Sequence, residues 1–144
     1  MLVLARRASI VAVMVAVVAL LAACTPLNSQ ENYLFHQAQQ LRLDNGVKPI
    51  YEYEPLTAKA RAWAATLATQ GRLAHEDLHA LGVSWSAAAE NIGRAGSIED
   101  VQSMLEASPG HRANMLNGDY LLAGFGTARG KDGSVYAVEL FLRS

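Results

Sequence analysis

The spacing of apolar positions changes along this chain and divides it into a leader, a helical middle and a strand-forming end. Ile10 to Leu21 is an unbroken apolar run behind the pair Arg6-Arg7. Further on, Leu34, Ala38 and Leu41 recur at i, i+4 and i+7, the spacing of one helix face, and Asn45-Gly46 supplies a stop. Pro55 opens a second helix at the first position, where a missing N–H costs nothing. Its stripe is Leu56, Ala60, Trp63, Ala64 and Leu67, and Gly71 ends it. Ser97 begins a third, with Asp100 near the capping-box position and Ile98, Val101, Met104 and Leu105 facing inward. Ser108-Pro109 stops that helix and starts a short fourth one through Leu116, closed by Asn117-Gly118; Ser108 reads as its N-cap.

The end of the chain is patterned as strands. Ala123 to Ala128 and Ser134 to Leu142 are rich in small, β-branched and aromatic residues, and Gly130-Lys131-Asp132-Gly133 joins them. Asp-Gly between such runs signals a hairpin. Tyr136, Val138, Leu140 and Leu142 share one face of the last strand; Val135, Ala137 and Phe141 share the other. A strand apolar on both faces needs cover on both, so the pattern predicts helices above and below a small sheet. The expected class is α+β, a three-layer α-β-α sandwich with a small, mainly antiparallel sheet.

The leader has the order of an export signal: a positive start, an apolar run, then small residues ending in Leu21-Ala22-Ala23-Cys24. That ending reads as a lipobox, which makes residues 1–23 a lipoprotein signal peptide and Cys24 the lipidation site. The bland alternative is an uncleaved anchor, although the run is short of the roughly 20 residues a spanning helix needs. Residues 24–29 then form a short polar tether and residues 30–144 a single domain. The whole chain carries twelve basic and thirteen acidic side chains, net −1. Removing two leader arginines leaves ten against thirteen, or −3, with no basic block, so nucleic acid is excluded as a partner. Cys24 is the sole cysteine, so the exported domain has no internal disulfide and must hold by packing.

Candidate chemistry is densest at His75-Glu76-Asp77-Leu78-His79, an H-E-x-x-H run. On a helix, such histidines share one face and bind zinc while the glutamate activates water. Trp85 stands where a third histidine would be, and Gly71 ends the preceding helix before the run begins. Both features argue that the match is coincidental. Ser108 and His111 lie three apart at a helix start, with no Gly-x-Ser-x-Gly elbow or oxyanion candidate, so a serine hydrolase is rejected.

Several blocks occur in a telling order: Arg42 with Gly46, then Leu56, Ala60 and Ala64, then His75. Ala89-Glu90-Asn91-Ile92-Gly93, Ser108-Pro109-Gly110-His111-Arg112-Ala113-Asn114-Met115-Leu116, Tyr120 to Gly126 and Tyr136 to Phe141 follow. Together they resemble the bacterial SCP-like branch of the CAP superfamily, which groups cysteine-rich secretory proteins, antigen 5 and pathogenesis-related 1 proteins. The resemblance implies the same α-β-α sandwich. It also implies a cavity lined by two histidines and two acids that can hold a divalent metal such as zinc. His75 and Glu90 stand at two of those positions. Ser108 replaces the usual second glutamate, Asp119 falls near the second histidine's place, and His111 belongs to a bacterial Ser-x-x-His pattern. The implied cavity lining is His75, Glu90, Ser108, His111 and Asp119, and the implied metal ligands are His75, Glu90 and His111. Eukaryotic relatives are disulfide-rich, and this chain departs from them there.

Each residue keeps a plainer reading. Glu90 can be a buried acid accepting backbone N–H groups from the loop that follows it. His111 can hydrogen-bond to strand backbone, and Asn114 can tie down a loop. His36 and His79 read as solvated, and Tyr51, Tyr53 and Trp85 as packing residues. The expectation is an exported protein, lipid-anchored on the extracytoplasmic side of the membrane, with no catalytic residues. It would bind a small apolar or envelope-derived ligand, or a partner protein. The alternative is a metal-dependent peptidase using His75, Glu76 and His79, or the His75, Glu90 and His111 cleft.

Overall fold

Helix α1 (Ser29–Asp44) opens on a capping box, in which Asn28 Oδ1 accepts from the N–H of Gln30 and Glu31 while the Glu31 carboxylate accepts from the N–H of Asn28. The structure, a computed structural model, describes residues 25–144; the leader and the Cys24 lipidation site lie outside the described residues. The helix therefore begins within the stretch expected to be tether. It buries Leu34, Ala38 and Leu41 as its spacing predicts, but also Glu31 and Arg42. Arg42 is fully buried and donates to the carbonyls of Lys48, Met115, Asn117 and Tyr120 at 2.6–3.0 Å. Carbonyl dipoles thus satisfy this guanidinium, burial lowers its pKa, and it clamps α1 to the segment leading into the sheet.

Strand β1 (Tyr51–Glu52) leads into α2 (Glu54–Gln70), which has Pro55 in its first turn and ends at Gly71, whose φ of 68° is the left-handed cap that glycine supplies without strain. Its buried stripe is Leu56, Thr57, Ala60, Ala64, Leu67 and Ala68. Trp63 is only half-buried, its Nε1 donating to the Ala74 carbonyl at 3.0 Å. After one 3-10 turn (Leu78–Ala80) come β2 (Ala87–Ala95), α3 (Ile98–Ala107), α4 (Pro109–Leu116), β3 (Leu122–Arg129) and β4 (Val135–Arg143). Ser97 caps α3 by accepting from Asp100 N–H, as expected. Met104, expected inward, is 55 % exposed. The buried face runs Ile98, Val101, Gln102, Leu105, which is i, i+3, i+4, i+7, and Met104 falls off it. The polar Gln102 takes the core position because its amide finds Glu106 Oε1 at 2.9 Å.

The sheet order is β1-β3-β4-β2, with β1 parallel to β3 and the other pairs antiparallel. The β3–β4 hairpin turns through Gly130–Gly133 as read from Asp-Gly, with Gly133 at φ 81°. Strand β2 was not legible as a strand, because Ala87, Ala88 and Ala89 carry no alternation; its pairing with β4 creates it. Among the described residues, four helices and a four-stranded, mainly antiparallel sheet make the expected α-β-α sandwich. One core lies between the sheet and α1, α3 and α4, including Leu34, Val101, Phe125 and Phe141. The other lies under α2, with Leu56, Ala60, Tyr136, Val138 and Leu140. Helix α2 sits unusually close to β3. A Cβ at Gly124 would lie 2.3 Å from the Leu56 carbonyl carbon, and one at Gly126 would lie 2.1 Å from that of Ala60. No helix among the described residues is long and apolar enough to cross a membrane.

Candidate functional site

Strand β2 is an edge strand, and the loop leaving α2 returns across it, so residues fifteen positions apart meet. His75 Nδ1 lies 2.6 Å from Glu90 Oε1, and the same oxygen accepts from the Glu76 N–H at 3.1 Å. The pair is asymmetric: the His75 side chain is 65 % exposed and that of Glu90 only 2 %. Glu90 is thus a buried acid that accepts a backbone N–H, but from the loop before it rather than the one after it. Burial pushes its pKa up, and the hydrogen bonds from His75 and Glu76 offset part of that push. A proton on His75 Nδ1 directed at Glu90 leaves Nε2 facing outward to accept from a ligand.

Glu76 and His111 complete the cluster. Burial, reinforced by the charge of Glu90, raises the Glu76 carboxyl above the ordinary range. Burial lowers the His111 pKa, and a charge on His75 acts on it in the same direction, while the His111 carbonyl is held by Asn91, the residue after Glu90. Glu76 Oε2, Glu90 Oε2 and His111 Nδ1 are all buried without a hydrogen-bond partner. Behind them lies a polar network on the opposite face of the sheet. Asn114 donates to Asn91 Oδ1 at 2.9 Å, and Asn91 Nδ2 donates both to the His111 carbonyl at 3.1 Å and to Glu139 Oε2 at 2.9 Å. Asn114 therefore ties α4 to a strand rather than to a loop.

Asp119 is 68 % exposed before β3 and faces Arg143 at 3.4 Å, because the turn after α4 carries it to the surface. Ser108 is the N-cap of α4 by position, but its hydroxyl makes no capping bond, and it lies at the junction of α3 and α4. The zincin geometry is not formed. His75 and Glu76 are in irregular backbone, His79 is in the 3-10 turn, and its ring packs on Trp85 with centroids 5.3 Å apart. A protein zinc site needs three or four ligands. Among the described residues no group of three His, Cys, Asp or Glu side chains is placed to hold a metal. The His75, Glu90 and His111 set therefore falls short of a three-ligand group as it stands, and no step is derived through zinc.

Asn91 and Glu139 escaped the sequence reading. The signal was there: Glu139 interrupts a strand otherwise apolar on both faces. A hollow of ≈ 350 Å³, lined by Ser29, Tyr33, Ile98 and Arg129 among others, lies at the far end of β2 and contains none of the cluster residues.

Residues 36–141 match the family described as CAP, the cysteine-rich secretory protein family. A comparison with curated proteins finds no match. Among solved structures, an outer surface protein of Borrelia burgdorferi is similar at a TM-score of 0.73 and 17% identity, over 83% of this chain and 96% of that one. An extracellular, SCP-domain protein of Bacillus anthracis gives a TM-score of 0.70 at 18% identity, over 84% of this chain and 45% of its own. The venom allergen-like protein 4 of Schistosoma mansoni gives 0.71 at 11% identity, over 81% and 90% respectively.

Proposed function

This chain belongs to the cysteine-rich secretory protein (CAP) family, and from that premise we propose that it is an exported lipoprotein with a non-catalytic binding site. Acylated Cys24 holds it on the extracytoplasmic side of the membrane. The His75–Glu90 site takes a hydroxyl- or amide-bearing group of an envelope-derived ligand or partner protein. One observation carries this reading: Glu76 Oε2, Glu90 Oε2 and His111 Nδ1 are buried without partners, while the imidazole bound to Glu90 is exposed. A buried polar atom left unpaired costs about 1–3 kcal/mol, which a ligand supplying the missing hydrogen bonds recovers. This chemistry favours a polar group over a purely apolar ligand. The export signal, and the outer-surface and extracellular names of similar structures, support the location.

Catalysis has less support. Glu90 Oε1 is spent on His75 and on a backbone N–H, and the cluster contains no nucleophile. The test is native mass spectrometry of protein extracted from membranes, beside a peptide-cleavage assay with and without zinc. Wild type should retain a small molecule that Glu90→Gln loses, and neither protein should cleave peptide. Zinc-dependent cleavage abolished by Glu76→Gln would establish the peptidase instead.

A further inference from the structure

The segment between Cys24 and α1 is short and polar, yet it is bound to the fold at every residue. Arg61 on α2 donates from Nη1 to the Thr25 carbonyl at 3.1 Å and from Nη2 to the Pro26 carbonyl at 2.8 Å. The same guanidinium grips the buried Glu31 carboxylate with two bonds, Nε to Oε1 at 2.9 Å and Nη2 to Oε2 at 2.6 Å. Asn32 Nδ2 donates to the Leu27 carbonyl at 3.0 Å, and Asn28 Nδ2 reaches Thr127 Oγ1 on β3 at 3.4 Å. A bidentate arginine–carboxylate pair with one partner buried is the rigid form of this interaction. Residues 25–28 are therefore a docked strap. Free, four residues would behave as a coil with an end-to-end distance of about 11 Å.

We infer that this strap is an orienting clasp: it fixes the β3 side of the domain toward the lipid surface and turns the His75–Glu90 site away from it. The inference rests on the reading of Cys24 as the acylated anchor. Cys24 precedes Thr25 by one peptide unit, about 3.8 Å between Cα atoms, so the anchor has almost no slack beyond the clasp. The clasp lies on β3 and the adjoining stretch of α2, whereas Glu90 lies on β2. With β4 between them, two strand spacings of about 4.8 Å separate the clasp strand from the site strand, before the outward reach of His75 is added. An anchored domain held this way presents its binding site to the extracytoplasmic space rather than to its own bilayer.

The experiment uses the full lipoprotein in vesicles of phosphatidylcholine and phosphatidylglycerol that carry a headgroup energy acceptor. An acylated Cys24 leaves no free thiol, so one fluorophore can be placed at Ala65→Cys, one turn from Arg61 on α2, or at Ser84→Cys in the loop before β2. Co-sedimentation with vesicles and the intact mass at Cys24 report anchoring separately. The Ala65 probe should be quenched more strongly than the Ser84 probe. Six Gly/Ser residues inserted between Cys24 and Thr25 should abolish the difference without altering the fold, since that coil spans about 13 Å. Arg61→Ala should narrow it too, and the spacer variant remains decisive if Arg61→Ala fails to fold. Equal quenching of both probes in the sedimenting parent protein overturns the clasp while anchoring stands, and so does a difference that survives the spacer. Protein that stays in the supernatant overturns anchoring itself, and the clasp with it.

Discussion

Glu139 is fully buried in β4, holds one hydrogen bond from Asn91, and has its other oxygen unpartnered. Burial pushes its pKa up to about 7; the Asn91 bond offsets part of that, and the charge of Glu106 on α3 adds to it. The ordinary glutamate value is 4.5, so between 4.5 and about 7 the folded protein holds a proton that the unfolded chain has released. Stability from this group is then fully present below 4.5 and lost as pH rises through about 7. A shift of that size corresponds to about 3 kcal/mol. Glu139→Gln keeps the shape and cannot ionise, so its urea midpoint should fall less between pH 5 and pH 8 than that of wild type. Parallel losses in the two proteins would refute the assignment. The identity of Glu139 as an odd residue in an apolar strand was readable. Its partner was not, because Asn91 is 48 positions away and arrives opposite it only through the β2–β4 register.

At the scale of elements, the decisive contact is α2 against β3. Gly124 and Gly126 lie on the α2 face of β3 and admit helix backbone where any Cβ would collide. Backbone cannot step aside as a side-chain tip can, so Gly126→Ala should cost about 3 kcal/mol or more. Gly96→Ala meets nothing within 4 Å and should stay within about 0.5 kcal/mol of wild type. Equal denaturation midpoints for the two variants would show that α2 can lift off the sheet freely. The four helices and the β3–β4 hairpin were legible because each follows from local periodicity or turn chemistry. Strand β2 was not, because alanine has little preference for strands and the partner that orders β2 is β4, forty or more residues later.

Over the whole molecule, two apolar cores close on the two faces of one sheet, and no cysteine follows Cys24. Residues 25–144 should therefore unfold reversibly with one transition, at the same midpoint with and without reductant. A midpoint that falls when reductant is added would mean that a covalent link outside this fold contributes. The buried clamps Arg42 and Glu31–Arg61 contribute to the same unity, since each joins segments from opposite ends of the chain or of the sandwich.

Periodicity by itself determined the helices, the hairpin and the demand for cover on both sheet faces, because those depend on neighbours three, four or two positions apart. Composition determined the absence of disulfides in the domain, and His75 and Glu90 were nominated by their motif blocks. Only the tertiary structure decided that these two touch, that Asp119 faces Arg143 at the surface, that the Ser108 hydroxyl leaves α4 uncapped, and that Glu76 joins the pair through its N–H to Glu90 rather than as the base of a zinc helix. The physical reason is the irregular loop after α2. Its path is set by the closeness of α2 to β3 and by the edge position of β2, and neither is encoded in the residues of the loop itself.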